Sequence, residues 1–155
     1  MNYGTAQEMI DEEADFKNNL KQKCMQKVYL AGGFRTDWQN KVKELNGFLW
    51  LDPKEKERPN GVVIPMTVNE YGTWDLHFVK QSDIVFVYAE RTNPSCIGLA
   101  VEMGYAKGIG KTIILVLEPN HETIKDNYLQ FLKKGANITF ETLQDGIDYL
   151  QSFKI

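Results

Sequence analysis

Two apolar runs constrain this chain more than anything else in it: Asp83-Ile84-Val85-Phe86-Val87-Tyr88, apolar after its first residue, and Thr112-Ile113-Ile114-Leu115-Val116-Leu117. Neither alternates polar with apolar positions, so each reads as a strand buried on both faces. The stretch between them, Ile97 to Ala106, reads as a helix, and the three segments make a parallel crossover unit. The rest of the chain extends that alternation. Val28-Tyr29-Leu30-Ala31 and Phe48-Leu49-Trp50-Leu51 are two more strand patterns, and Ile138-Thr139-Phe140 is a short fifth. A helix is expected from Thr36-Asp37, with Trp38, Val42 and Leu45 inward and Gly47 ending it. Another starts at Thr67-Val68-Asn69-Glu70, which has capping-box spacing; Val68, Tyr71, Asp75 and Val79 are its inward positions. Two more run from about Glu122 to Lys134 and from Thr142 to Phe153, the last with Leu143, Ile147 and Leu150 inward. About five mainly parallel strands alternating with helices define an α/β fold, a three-layer, doubly wound sheet of flavodoxin or Rossmann type.

Residues 1–25 stand outside that alternation. Thr5 to Lys23 reads as a mostly polar helix with a thin apolar stripe of Met9, Ile10, Phe16 and Leu20. The chain is therefore read as a helical extension over 1–25 and an α/β domain over 26–155. The charged run from Lys54 to Gly61 is a surface loop, or the rim or lid of a pocket if one lies beside it.

In doubly wound sheets ligands sit beyond the carboxyl ends of the strands, where the strand order reverses. Gly32-Gly33 after the first strand and the loop Asn93 to Gly98 after another both fall on that edge. From Ile97 to Ala106 only Glu102 is charged, and no polar stripe recurs at helical spacing. The helix is therefore placed in the interior with its carboxylate buried, and the small Gly98 and Ala106, one turn either side, leave a hollow in front of it. A buried acid beside a hollow points to chemistry. The competing account is a Glu that reaches solvent or pairs with a basic residue. Asp75, on the apolar face of its helix, is a second carboxylate in such a setting; its competing account is a bond to a backbone group or a cation.

Composition removes several classes of function. At 155 residues, 43% hydrophobic and 25% charged, the chain can close one real core. A net charge of −3 without a basic stripe gives no reason to expect nucleic acid. The apolar runs are far too short to span a membrane, and the acidic start lacks the basic end and apolar centre of a signal peptide. Cys24 and Cys96 form neither a disulfide framework nor a metal set. The expected setting is a reducing cytoplasm, with no membrane, metal or cofactor involved. Gly108-Ile109-Gly110-Lys111-Thr112 imitates the end of a phosphate-binding loop, but Tyr105 stands where its first glycine belongs and the helix precedes the strand. His77 and His121 are isolated in sequence, and Cys96 has no neighbouring histidine to activate it.

Three segments together resemble the nucleoside 2-deoxyribosyltransferase family. They are Tyr29-Leu30-Ala31-Gly32-Gly33-Phe34 with Thr36-Asp37-Trp38-Gln39-Asn40-Lys41, then Asp75-Leu76 with Ser82-Asp83-Ile84-Val85, and Gly98-Leu99-Ala100-Val101-Glu102-Met103-Gly104-Tyr105-Ala106. The similarity spans roughly Lys27 to Glu118. It implies that Glu102 is a nucleophile attacking the anomeric carbon of a 2-deoxynucleoside, with a second base or water then resolving the deoxyribosyl ester. It implies that Asp75 holds or protonates the leaving base and that Tyr29 orients Glu102. Gly32, Gly33 and Phe34 would line the base site, Phe34 by stacking. Asp52, Asn93, Ser95, Cys96 and Gly98 complete the substrate-binding candidates.

Six residues before the nucleophile, members acting on free nucleosides tend to carry an Asp, and related deoxynucleoside monophosphate N-hydrolases a Ser; here it is Cys96, preceded by Ser95. Family members also complete the site with residues near a neighbour's C-terminus, so a homo-oligomer with shared sites is expected. The first reading is base exchange between deoxynucleosides, its ligands a nucleoside or nucleotide and a free nucleobase. The alternative is hydrolysis of a deoxynucleotide or related nucleotide, and a third is a nucleotide-binding module without turnover.

Overall fold

The computed structural model describes residues 10, 11, 14–17, 20, 25–56 and 67–155. Five strands form one parallel sheet: β1 (Gln26–Gly32), β2 (Phe48–Leu51), β3 (Ile84–Ala89), β4 (Thr112–Leu117) and β5 (Ile138–Phe140). Their order is β2-β1-β3-β4-β5, which reverses between β1 and β3. The helices are α1 (Trp38–Lys43), α2 (Pro53–Lys56), α3 (Val68–Gln81), α4 (Ile97–Gly108), α5 (Asp126–Gly135) and α6 (Leu143–Gln151). Every strand read from the sequence is present, and the fold is the three-layer α/β sheet expected from it.

Alternation along the strands decides which helix covers which face. Tyr29, Ala31, Val85, Val87, Ile113 and Leu115 point to one side, where they meet Val79 of α3, Leu99 and Met103 of α4 and Leu129 of α5. Val28, Leu30, Phe86, Ile114 and Val116 point to the other, against Trp38 and Val42 of α1 and Ile147 and Leu150 of α6. Gly146 lets α6 lie directly on the sheet, because a Cβ there would run into Val116 and Phe86. Tyr29 is thus delivered to the α3–α4 side by strand register alone.

The local signals for α3 hold. Thr67 Oγ1 accepts the Glu70 N–H at 3.4 Å and Glu70 Oε2 accepts the Thr67 N–H at 2.6 Å, the reciprocal capping box. Val68, expected inward, is 82% exposed: it is the first residue of α3, before the helix reaches the sheet. Helix α1 ends at Lys43, and Gly47 (φ 97°) turns the chain into β2 rather than capping the helix. Residues 10, 11, 14–17 and 20 are helical with Ile10, Phe16 and Leu20 exposed; the rest of the expected N-terminal helix, and 57–66 of the charged loop, lie outside the described residues.

The main correction concerns α4. It is not an interior helix. Leu99, Met103 and Ala106 form its buried stripe, but Ile97 is 70% and Val101 55% exposed. Beside them Tyr128 and Phe131 of α5 are also exposed. An absent polar stripe was therefore no sign of burial: this helix has one apolar face on the sheet and a second one facing outward.

Candidate active site

Three side chains from three elements meet on the α3–α4 side of the sheet. Tyr29, in the middle of β1, is fully buried, and its hydroxyl donates to Glu102 Oε1 at 3.1 Å. Asp75, on α3, is within hydrogen-bonding reach of the same hydroxyl. Glu102 is half-buried on the flank of α4 that faces α3. Among the described residues no cation is paired with it. Burial and then the charge of Asp75 push the Glu102 carboxyl up to about 8, while the Tyr29 hydrogen bond pulls the other way. The Tyr29 phenol is driven well above its ordinary range by burial first, then by the two carboxylates. Two carboxyls around one phenol hydroxyl repel each other's charge, so the pair holds a proton near neutrality.

Of the two small neighbours expected to open a hollow beside Glu102, Gly98 lies on the exposed surface of α4. A Cβ there would meet open space, whereas Ala106 is sealed in the core with Met103.

The edge of the crevice is built from the loops after β1 and β3. Gly32 is obligatory: a Cβ would stand 2.5 Å from the Trp38 ring and 3.0 Å from the Tyr88 carbonyl oxygen. The Gly33 carbonyl accepts from Trp38 Nε1 at 2.9 Å and Gln39 Nε2 at 3.1 Å, which ties the loop to α1. On its other side Gly33 faces the Asn93 amide, 3.3 Å from where a Cβ would be. Phe34, 39% exposed, sits on this loop with its ring available for stacking. Asn93 Oδ1 accepts the Ser95 N–H, and Ser95 Oγ accepts the Ile97 N–H, each at 3.4 Å. Cys96 then enters α4 with φ 51°. Its thiol is buried, which pushes its pKa up to about 11 and favours the thiol over the thiolate.

Asp52 has its own partners on this edge of the sheet. It is buried at the end of β2, where Oδ2 bonds Lys43 Nζ at 2.7 Å and Oδ1 accepts the Lys54 N–H at 3.0 Å. Its carboxylate therefore anchors α2 to α1. Sequence reasoning missed Glu90 and Glu118. Glu90, buried at the end of β3, accepts from Thr36 Oγ1 at 3.3 Å across the β1–β3 crevice. Glu118 accepts the Tyr88 hydroxyl at 2.6 Å and the Arg91 N–H at 2.8 Å. Both join residues tens of positions apart, which no local spacing reveals.

An apolar cleft of about 390 Å³ opens between the start of α4 and α5, with Ser95, Cys96, Ile97, Tyr128 and Phe131 on its wall; Glu102 and Asp75 are not on it. Among the described residues no group of three or more His, Cys, Asp or Glu could hold a metal ion, and no helix is long and apolar enough to cross a membrane.

A sequence model described as nucleoside 2-deoxyribosyltransferase like matches residues 25–120. No curated protein matches the chain by sequence. Among solved structures, a conserved protein from Enterococcus faecalis V583 aligns with a TM-score of 0.61 at 16% identity, over 83% of this chain and 99% of that one. The Clostridium botulinum CMP N-glycosidase BcmB aligns with a TM-score of 0.53 at 18% identity, over 83% of this chain and 100% of that one. At such identities both show a shared fold.

Proposed function

The chain belongs to the nucleoside 2-deoxyribosyltransferase-like family, whose model spans more than half of it, and on that premise we propose that it exchanges the base of 2-deoxynucleosides through a covalent deoxyribosyl ester on Glu102. The observation that carries this reading is the Tyr29–Glu102–Asp75 cluster, two half-buried carboxyls sharing one buried phenol. A carboxyl held at about 8 by burial, and further by a like charge, ionises more readily once that charge is neutralised. Asp75, protonated, removes the repulsion and at the same time holds the proton that the departing base needs.

In the first step a Glu102 carboxylate oxygen attacks C1′ and the C1′–N bond breaks. Its electron pair leaves with the base, which takes the Asp75 proton. In the second step the nitrogen of an incoming base attacks C1′ and returns its proton to Asp75. The ester C–O bond breaks and the Glu102 carboxylate is restored; two inversions retain configuration. Tyr29 orients the attacking oxygen. Gly32, Gly33 and Phe34 line the base, and Asn93, Ser95, Cys96 and Gly98 approach the sugar. Residues 26–155 form the catalytic unit, with 1–25 an extension to it. The exposed apolar residues Ile97, Val101, Tyr128 and Phe131 support a homo-oligomer, since a contiguous apolar face of this kind is what a subunit contact covers.

Hydrolysis of a deoxynucleotide is the second reading, favoured by one observation: Glu102 keeps partial exposure on the flank of α4, and an ester there that water reaches is hydrolysed rather than transferred. BcmB, whose fold the chain shares, is named a CMP N-glycosidase. Incubation with deoxyinosine, with and without adenine, separates the two. Deoxyadenosine formed in the presence of adenine supports transfer. Free sugar released at the same rate with or without adenine, from deoxyinosine or from its 5′-monophosphate, supports hydrolysis, and binding of both compounds without any hypoxanthine release removes both readings.

A further inference from the structure

His121 stands 25 residues from Cys96 in sequence and 3.8 Å from it in space, Nε2 to Sγ. It belongs to the connection between β4 and α5. Its Nδ1 accepts two backbone N–H groups, from Thr123 at 3.3 Å and from Ile124 at 3.1 Å. A ring nitrogen that accepts two N–H donors carries no hydrogen, so the imidazole proton is on Nε2 and points at the sulfur. The lone pair a base would use is already occupied, which separates this arrangement from a Cys–His catalytic pair. The same turn holds the loop after β3 at three more points. Thr123 Oγ1 lies 3.3 Å from the Asn93 carbonyl oxygen and 3.2 Å from that of Pro94, and the Glu122 N–H donates to Arg91 O at 2.9 Å. Cys96 is where that loop becomes α4, in a left-handed conformation that a residue with a Cβ seldom adopts unaided.

We infer that His121 is a positioning residue: its tautomer-locked Nε2–H holds Cys96 left-handed and thereby sets where α4, carrying Gly98 and Glu102, begins beside the sugar. The kinetic part of this inference rests on the proposed glycosyl transfer; the structural part does not. The position six residues before the nucleophile then serves this chain through its backbone, because the thiol is turned toward the histidine and away from solvent.

Thiol reactivity with melting temperature tests the structural part and kinetics tests the positioning part, and the two fail separately. In a Cys24→Ser background Cys96 is the sole thiol, and its alkylation by iodoacetamide should quicken about tenfold on His121→Ala. An unchanged rate overturns the clasp, whatever the enzyme does. His121→Asn keeps an acceptor where Nδ1 was but loses the reach to sulfur, so it should restore the melting temperature without restoring thiol protection. If it restores both, the histidine is only a turn cap. In kinetics, His121→Ala should lower kcat/KM for base release about tenfold in the natural background and less than about twofold in a Cys96→Gly background, because glycine needs no holding at positive φ. Equal losses in both backgrounds overturn the positioning role. A wild-type protein that releases no base refutes the reaction instead, and the alkylation result still decides the clasp.

Discussion

Replacing Tyr29 by Phe removes one hydroxyl and nothing else from a fully buried site. That hydroxyl donates to Glu102 at 3.1 Å, and it opposes the burial and the Asp75 charge that hold the carboxyl at about 8. A hydrogen bond to a charged group is worth ~1.5–3 kcal/mol, equivalent to about one to two pK units. Losing it favours the protonated acid, so the Glu102 pKa rises by that amount. Only the carboxylate attacks C1′. The acid limb of kcat/KM for hypoxanthine release from deoxyinosine should therefore move up by about one to two pH units, with a loss of roughly ten- to a hundredfold on its acid side that shrinks above the new limb. Chromatographic rates at constant ionic strength across the limb measure it. Asp75→Asn supplies the opposite sign. It removes the like charge, so the limb should move to lower pH while base departure slows more than binding weakens. An unmoved limb in Tyr29→Phe, or a shift in the same direction for both variants, refutes the account of the cluster.

Glu102→Gln should abolish base release and also change how stability depends on pH. The folded-state pKa of Glu102 is raised, so its contribution to stability is fully present below the unfolded carboxylate value of ~4.3 and is lost as pH rises through about 8. The variant should therefore match the wild type near pH 4 and exceed it above pH 8 by roughly 1–2 kcal/mol, after allowance for the partial exposure of the residue; equal melting temperatures at high pH would contradict the burial of the carboxyl. Gly146→Ala drives a methyl group into Val116 and Phe86 beneath α6, and should cost roughly 1–3 kcal/mol of stability in denaturant titration without touching the α3–α4 side of the sheet. A neutral effect there would mean that α6 does not lie on the sheet as described.

The amino-acid sequence by itself determined the sheet. Runs such as Ile84–Tyr88 and Ile113–Leu117 can satisfy their backbones and bury both faces only as parallel strands between helices, and Gly32 with the Thr67–Glu70 box marks where turns and helices begin. Helical patterning singled out Asp75 and Glu102 and the likeness to a known family added Tyr29; the structure holds the two carboxyls around the Tyr29 hydroxyl. Which way α4 faces was not legible, since a helix with two apolar faces and one with an apolar circumference read alike until its neighbours are known. Nor was the fate of Asp52, Glu90 or His121: each takes its character from a partner 9 to 54 residues away, Lys43, Thr36 or Cys96. Local pattern fixes backbone periodicity because that is a property of neighbours along the chain. Charge, tautomer and access are properties of neighbours in space, and only folding supplies those.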